Sequence, residues 1–311
     1  MKTTTVPDTL QRSSQLALFF RLLRMRQWIK NGLVLMPLMF SLRFRFADSV
    51  RDALLAAVAF CFVSSAGYIF NDVCDRKRDR AHPVKRSRPI AGEQITVTTA
   101  SVVAFVCLAI TAATAIWLPR TCAEQMLLYL GVSCAYSLFA RRIPVADALT
   151  IGVLFVLRVT AGSAAIGVIS SHWILLCTFL LATFLAVTKR RAELVLLLED
   201  GSEHRSALTG YSVGLADHMS SVLLAATIIS YTLYTVAPDT VSQFHTDHLL
   251  YTVPFVMFGL FRYLQLSLSN HARLGDPAET LLSDPPMLIS ATLWLAVCAF
   301  ILSRAGGSPT F

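Results

Sequence analysis

An all-α bundle of membrane-spanning helices is the fold class that three observations predict. The chain of 311 residues is 55% hydrophobic and only 15% charged, and its mean hydropathy of +0.61 lies outside the range of ordinary soluble domains. The apolar residues fall into repeated stretches close to the roughly 20 residues that a helix needs to cross a bilayer. These stretches lack the strict alternation of a barrel strand, and lipid offers backbone groups no hydrogen-bonding partners, so helices are the remaining solution. One transmembrane domain over 1–311 with about nine helices around a central cavity and loops acting as lids follows, residues 1–15 forming a disordered tail. The polar opening MKTTTVPDTLQRSSQ is not read as a cleavable leader.

In chain order the predicted spans are 28–45, 51–71, 95–116, 121–139, 145–167, 172–189, 212–236, 248–267 and 287–303. The first opens on Trp28, an interfacial residue type, and contains Pro37. The second runs apolar to Phe70 and then turns abruptly charged. The fourth is short, and the fifth carries Arg158 within it. Of the 27 Lys and Arg, 21 fall on the side of the N-terminus, which the positive-inside bias places in the cytoplasm. The +8 net charge follows from the same bias, and with no soluble binding module in the chain nucleic acid is not an expected partner. The seven cysteines are scattered, without a CxxC pair, and read as small apolar fillers, with Cys74 alone lying among charged residues.

Chemistry concentrates in NDVCDRKRDRAHPVKRSRPIAGE, residues 71–93. If the second span continues as a helix at about 100° per residue, Asn71, Asp72, Asp75 and Asp79 share one face. Carboxylates this close repel one another unless a cation sits among them. Hard oxygen ligands at a watery membrane surface suit Mg²⁺, which usually keeps substrate phosphate oxygens in its shell. A solvated loop whose acids neutralise its bases is the plainer alternative. Pro83 and Pro89 forbid a long continuation of the helix, so His82, Lys85, Arg86 and Arg88 can fold back over the acids and close on phosphate. Orientation by the positive-inside rule accounts for a basic loop equally well. No Rossmann, Walker or zinc motif appears, nor the acidic ribose-phosphate loop of soluble phosphoribosyltransferases.

N-D-x-x-D-x-x-x-D at the end of a second span, followed by H-P-x-K-R-x-R-P-I, resembles the UbiA superfamily of intramembrane prenyltransferases. RMRQWIKN (24–31), AYSLFARRIPVADA (135–148), FVLRVTAGSAAIGV (155–168), LATFLAVTKRRAEL (181–194) and HRSALTGYS (204–212) extend the likeness over most of residues 20–285. Within the superfamily the chain is similar to the branch that phosphoribosylates a decaprenyl-type phosphate. Aromatic prenyltransferases of the superfamily place a second acidic motif after the sixth span, where this chain has Lys189, Arg190 and Arg191, with Glu193 one turn on. A basic half-site opposite an acidic one suits a polyphosphorylated sugar, and a membrane anchor would need only part of it.

The resemblance implies a bacterial plasma-membrane enzyme with cytoplasmic site loops and Mg²⁺ held by Asn71, Asp72, Asp75 and Asp79, the three aspartates being catalytic. It implies 5-phosphoribosyl 1-diphosphate as donor and a polyprenyl phosphate as acceptor, for synthesis of a lipid-linked arabinose donor. Lys30 and Asn31, at the start of the first span, are candidates for the acceptor phosphate, with an interfacial anchor as the alternative. Arg158 either binds donor phosphate or braces the bundle. Tyr211, with His204 and Arg205, is a candidate for the ribose 5-phosphate. Tyr136 and Arg141 stand where the family commonly shows Tyr followed by Lys, and the change to Arg puts their role in question. Two rival classes remain: an aromatic prenyltransferase, which needs a second acidic cluster, and a transporter, whose polar residues would gather at the midplane.

Overall fold

The computed structural model describes residues 8–81, 85–199, 210–269, 280–281 and 283–305. Among them every regular element is helical, and the chain divides into two compact units, Met1–Phe139 with Leu157–Val168 and Ala140–Val156 with Ile169–Phe311.

In the first unit, helix α1 (Asp8–Leu22) begins inside the stretch predicted as a tail and leads to a 3₁₀ segment (Met25–Leu35), a short α2 (Met36–Phe40), the long α3 (Ala47–Ala81), α4 (Val97–Ala115) and α5 (Arg120–Leu138). Helix α6 (Ala146–Ala165) belongs to this unit from Leu157 onward. Apolar residues at the end of α1 explain its docking: Leu22 is fully buried in a cluster with Ile69, Ile90, Ile95 and Ala100. At 1.5 Å per residue the 35 residues of α3 exceed what a hydrocarbon core of roughly 30 Å requires. Its last turns therefore run on past the apolar part, and those turns carry Asn71 to Asp79. The helix stops at Ala81, before Pro83. Thr96 caps α4 by accepting the Thr99 amide at 3.1 Å. Gly162 of α6 lies against the Val34 carbonyl, where a Cβ would collide with backbone, so only glycine permits this approach.

The second unit contains the start of α6, α7 (His172–Glu199), α8 (Val213–Val236), α9 (Pro238–Phe244), a 3₁₀ turn (His248–Thr252), α10 (Val253–Leu268) and α11 (Pro285–Ala305). Phe184, Leu224, Leu260, Tyr263 and Met287 form one core cluster. Ala148, Ala186, Val187 and Ala216 form a seam of small residues that lets α6, α7 and α8 pack closely. Asp284 caps α11 through the Met287 amide at 3.0 Å and receives the Arg262 fork at 2.8 and 3.3 Å.

Seven helices among the described residues are long and apolar enough to cross a membrane, where nine spans were predicted. The difference has two causes. Residues 28–45 do not form one helix: Pro37 lacks the N–H that a continuous ladder requires, and Arg24 and Leu42, at φ 52° and 58°, turn the chain at either end. Residues 121–139 do form α5, but Arg120, Glu124 and Gln125 in its opening turns leave it less apolar than the other seven.

Candidate functional site

The row of acids lies on α3 as its helical spacing requires, and two arginines hold it. Asp72 and Asp79 are 4% and 3% exposed, unusual burial for carboxylates, which demands compensation. Arg24 supplies part of it, its Nε donating to Asp72 Oδ2 at 3.2 Å and its Nη2 to Asp72 Oδ1. Arg88 supplies the rest: its Nη1 donates to Asp72 Oδ1 at 3.0 Å and to Asp79 Oδ2 at 2.7 Å. The segment after α3 thus returns over the acids, with a 3₁₀ turn at Lys85–Ser87. Arg80 anchors the return by donating to the Ala91 carbonyl at 3.1 Å and pairing with Glu93 at 2.6 Å. Arg21, near the end of α1, reaches the Ser87 carbonyl at 2.6 Å.

Asn71 and Asp75 are half-buried on the same stretch of α3, Lys85 is half-buried and Arg86 is exposed. His82 lies outside the described residues, as do His204 and Arg205. Among the described residues no three His, Cys, Asp or Glu side chains gather as a metal site. The positive charge among the carboxylates is instead supplied by guanidinium groups. In donor type, three carboxylates and an amide match a hard divalent cation of the Mg²⁺ kind, and the arginine pairs show that this face takes positive charge.

Lys30 and Asn31 are neighbours in sequence but not in surroundings. Lys30 is half-buried, whereas Asn31, 2% exposed, sits in a closed polar network. Its Nδ2 donates to Ser64 Oγ at 3.1 Å and its Oδ1 accepts from Arg158 Nε at 2.9 Å. Arg158, also 2% exposed, donates through Nη2 to the Tyr129 hydroxyl at 2.8 Å, with its guanidinium carbon 4.8 Å from that ring's centroid. Of the two roles weighed for Arg158, bracing is the one these contacts serve. Tyr136, in the first unit, is half-buried near the end of α5.

In the second unit the basic run of α7 meets Glu193, one turn on, and two acids that are distant in sequence, Asp147 and Asp217. Arg190 donates through Nε to Asp147 at 2.7 Å and through Nη1 to Glu193 at 2.8 Å. Arg191 pairs with Asp217 and donates to the Ser267 carbonyl at 2.8 Å. Lys189 is exposed, and Arg141 is half-buried. Asp147 is 3% exposed at the start of α6, where a helix N-terminus favours its charge. Its other oxygen accepts the Tyr211 hydroxyl at 2.8 Å, and that hydroxyl accepts the Val145 amide, also at 2.8 Å. Val145 has φ 71°, strained for a β-branched residue. Gly210, at φ 105°, places its backbone where a Cβ would stand 2.5 Å from Pro144 Cγ. Tyr211 therefore fastens the 144–147 corner.

Burial, and then the hydrogen bond to the Asp147 carboxylate, push the Tyr211 phenol from 10.0 up to about 12. A raised acid pKa means that the folded chain keeps this proton longer than the unfolded one. The stabilisation is complete below pH 10 and is lost as pH rises through about 12. Tyr211→Phe is expected to make thermal unfolding of the detergent-solubilised chain less steeply pH-dependent across that window. An unchanged alkaline slope would count against this bond.

Arg24, Tyr129 and Asp217 are partners for which the sequence carries no signal. Asp147 does carry one, as an acid at the edge of a predicted span about three helical turns before Arg158, and its partners are Arg190 and Tyr211.

A sequence profile described as the UbiA prenyltransferase family matches residues 34–273. The chain is 30% identical over 284 residues to a decaprenyl-phosphate phosphoribosyltransferase of Mycolicibacterium smegmatis, covering 88% of each chain. It is 30% identical over 304 residues to a protein of the same name from Corynebacterium glutamicum, covering 94% of this chain and 90% of that one. Its fold is like that of a UbiA homolog from Archaeoglobus fulgidus bound to GPP and Mg2+, with a TM-score of 0.67, 20% identity, and coverage of 92% and 99% of the two chains. A family profile over most of the chain, relatives aligned almost end to end and a shared helical fold agree: this chain belongs to the UbiA prenyltransferase family of integral membrane transferases.

Proposed function

We propose that the chain transfers the 5-phosphoribosyl group of 5-phosphoribosyl 1-diphosphate to a polyprenyl phosphate at the cytoplasmic face of a bacterial plasma membrane. The product is a lipid-linked precursor of an arabinose donor. The observation that carries the reading is the acid row of α3, whose buried members Asp72 and Asp79 are gripped by Arg88 and Arg24. Oxygens and guanidinium groups held together in this way are complementary to a cation-bound diphosphate. The choice of a sugar donor over a prenyl diphosphate is supported by the names of the relatives and by the basic Lys189–Arg190–Arg191 run.

Asn71, Asp72, Asp75 and Asp79 are the residues that would hold Mg²⁺. Bound there, the ion would act as a Lewis acid toward charge developing on the diphosphate. Arg88, Lys85 and Arg86, with His82 in the same loop, take the donor phosphates as charge-assisted partners. Lys189 is assigned to donor phosphate as well, with Arg190, Arg191 and Tyr211 fixed around it in the chain by Asp147, Glu193 and Asp217. Lys30 takes the acceptor phosphate. Asn31 acts behind it through the Arg158 network.

In the transfer the bond from the anomeric carbon to diphosphate oxygen breaks and its electron pair leaves with pyrophosphate. A phosphate oxygen of the lipid forms the new bond from the opposite face, inverting the carbon. That oxygen is already anionic near neutral pH, so no strong base is needed, and positioning dominates the rate. Purified protein with Mg²⁺ is expected to release pyrophosphate only when phosphoribosyl diphosphate and a polyprenyl phosphate are both present. Release from a prenyl diphosphate with an aromatic acceptor instead would assign the chain to the other branch of the family.

A further inference from the structure

Arg24 belongs to none of the groups that sequence reasoning assigned to the site, yet it is bound to the most constrained acid of the row. It lies between α1 and the 3₁₀ segment in a left-handed conformation, φ 52° and ψ 47°, rare outside glycine. Neighbouring contacts keep the chain there. Leu22 is buried in the cluster with Ile69 and Ile90. The Leu23 carbonyl accepts the Ser65 hydroxyl at 2.8 Å, and the Trp28 indole donates to the same hydroxyl at 3.0 Å. The guanidinium lies over Tyr68, 5.1 Å from its centroid, and forks onto both oxygens of Asp72.

Two arginines on one carboxylate invite a division of labour. Arg88 joins Asp72 through a single nitrogen that it also shares with Asp79, and it sits in the loop after α3. Arg24 takes both oxygens, from a segment fixed by the buried contacts above. A forked guanidinium sets the plane of a carboxylate as well as its charge, which one shared nitrogen does not.

We propose that Arg24 is a positioning residue, acting through Asp72 to set the carboxylate with which the acid row receives a divalent cation and the donor diphosphate. The inference rests on the cation site proposed above, and its kinetic arm on the proposed transfer as well; cation binding is measured without any donor, so the two can fail separately.

Mn²⁺ is the probe, titrated by electron paramagnetic resonance into the purified full-length chain in detergent, with thermal midpoints recorded alongside. Arg24→Gln is expected to weaken Mn²⁺ binding and to lower kcat for transfer, each by roughly tenfold to a hundredfold. The thermal midpoint should fall, since buried Asp72 loses one of its two compensating arginines, whereas KM for polyprenyl phosphate should stay near that of the parent. Arg24→Lys, which keeps charge without the fork, should recover part of the loss and serves as the variant to measure if Arg24→Gln fails to fold. The decisive arm is a cycle with Asp72→Asn: once Asp72 has lost its charge, Arg24→Gln should weaken Mn²⁺ no further.

Losses that multiply in the double variant would make Arg24 a general structural support and overturn the proposal. So would tighter Mn²⁺ binding in Arg24→Gln, since Arg24 would then merely compete with the cation for Asp72. A parent chain that shows the Mn²⁺ behaviour but transfers nothing from phosphoribosyl diphosphate would sustain the inference and defeat the proposed function.

Discussion

Asp75→Ala is expected to leave the chain folded and to lower phosphoribosyl transfer by at least about a hundredfold, the scale seen when one preorganised charge-stabilising group is removed. Asp72 and Asp79 anchor Arg24 and Arg88, so their substitution also disturbs the packing of the segments that carry those arginines. Removing Asp75 takes a carboxylate from the middle of the row while both arginine pairs remain. The loss should fall on kcat, because charge on the departing pyrophosphate develops only as the transition state is approached. Initial rates at saturating donor and acceptor, with a thermal midpoint for the same preparation, check the expectation. A folded variant with near-normal rate would remove the acid row from the chemistry.

Arg158→Met should act on stability rather than on a single kinetic constant. The side chain is 2% exposed, and its removal takes the partner from the Asn31 carbonyl and from the Tyr129 hydroxyl, both buried. Leaving a buried acceptor unsatisfied costs about 1 to 3 kcal/mol, so a combined loss of roughly 3 kcal/mol is reasonable. Loss of Asn31's fixed orientation would then disturb Lys30, its neighbour in the chain. Arg158→Lys keeps a charge without the fork and should fall between. Unfolding in graded denaturing detergent measures the loss. A variant of parental stability that cannot bind donor would return Arg158 to direct phosphate contact, the other role weighed from the sequence.

Much of the acid site was legible in the sequence because its logic is local. Asn71, Asp72, Asp75 and Asp79 follow helical spacing on a helix that outruns the bilayer, and the two prolines downstream announce a loop that returns, which is what brings Arg88 onto Asp72 and Asp79. Seven of the nine spans were legible for the same reason, since hydropathy is a property of neighbours. What escaped depends on contacts distant in sequence. Arg24 and Asp72 are 48 residues apart, Arg190 and Asp147 are 43 apart, and Arg158 reaches Asn31 across 127. No periodicity carries such pairings. The first predicted span failed for a different reason: composition sums over residues, whereas Pro37 and two left-handed turns act at single positions.

That the anomeric carbon of a phosphoribosyl donor is handed to a lipid phosphate, with diphosphate departing, is tested most directly by a doubly labelled donor. Purified protein in detergent receives Mg²⁺, a polyprenyl phosphate, and 5-phosphoribosyl 1-diphosphate carrying one isotope in the ribose and another in the diphosphate. Ribose label is expected to move into the organic phase while diphosphate label stays in water, and Asp75→Ala is expected to prevent the separation. Both labels remaining in water, while a labelled prenyl diphosphate is consumed by the same preparation, would contradict phosphoribosyl transfer.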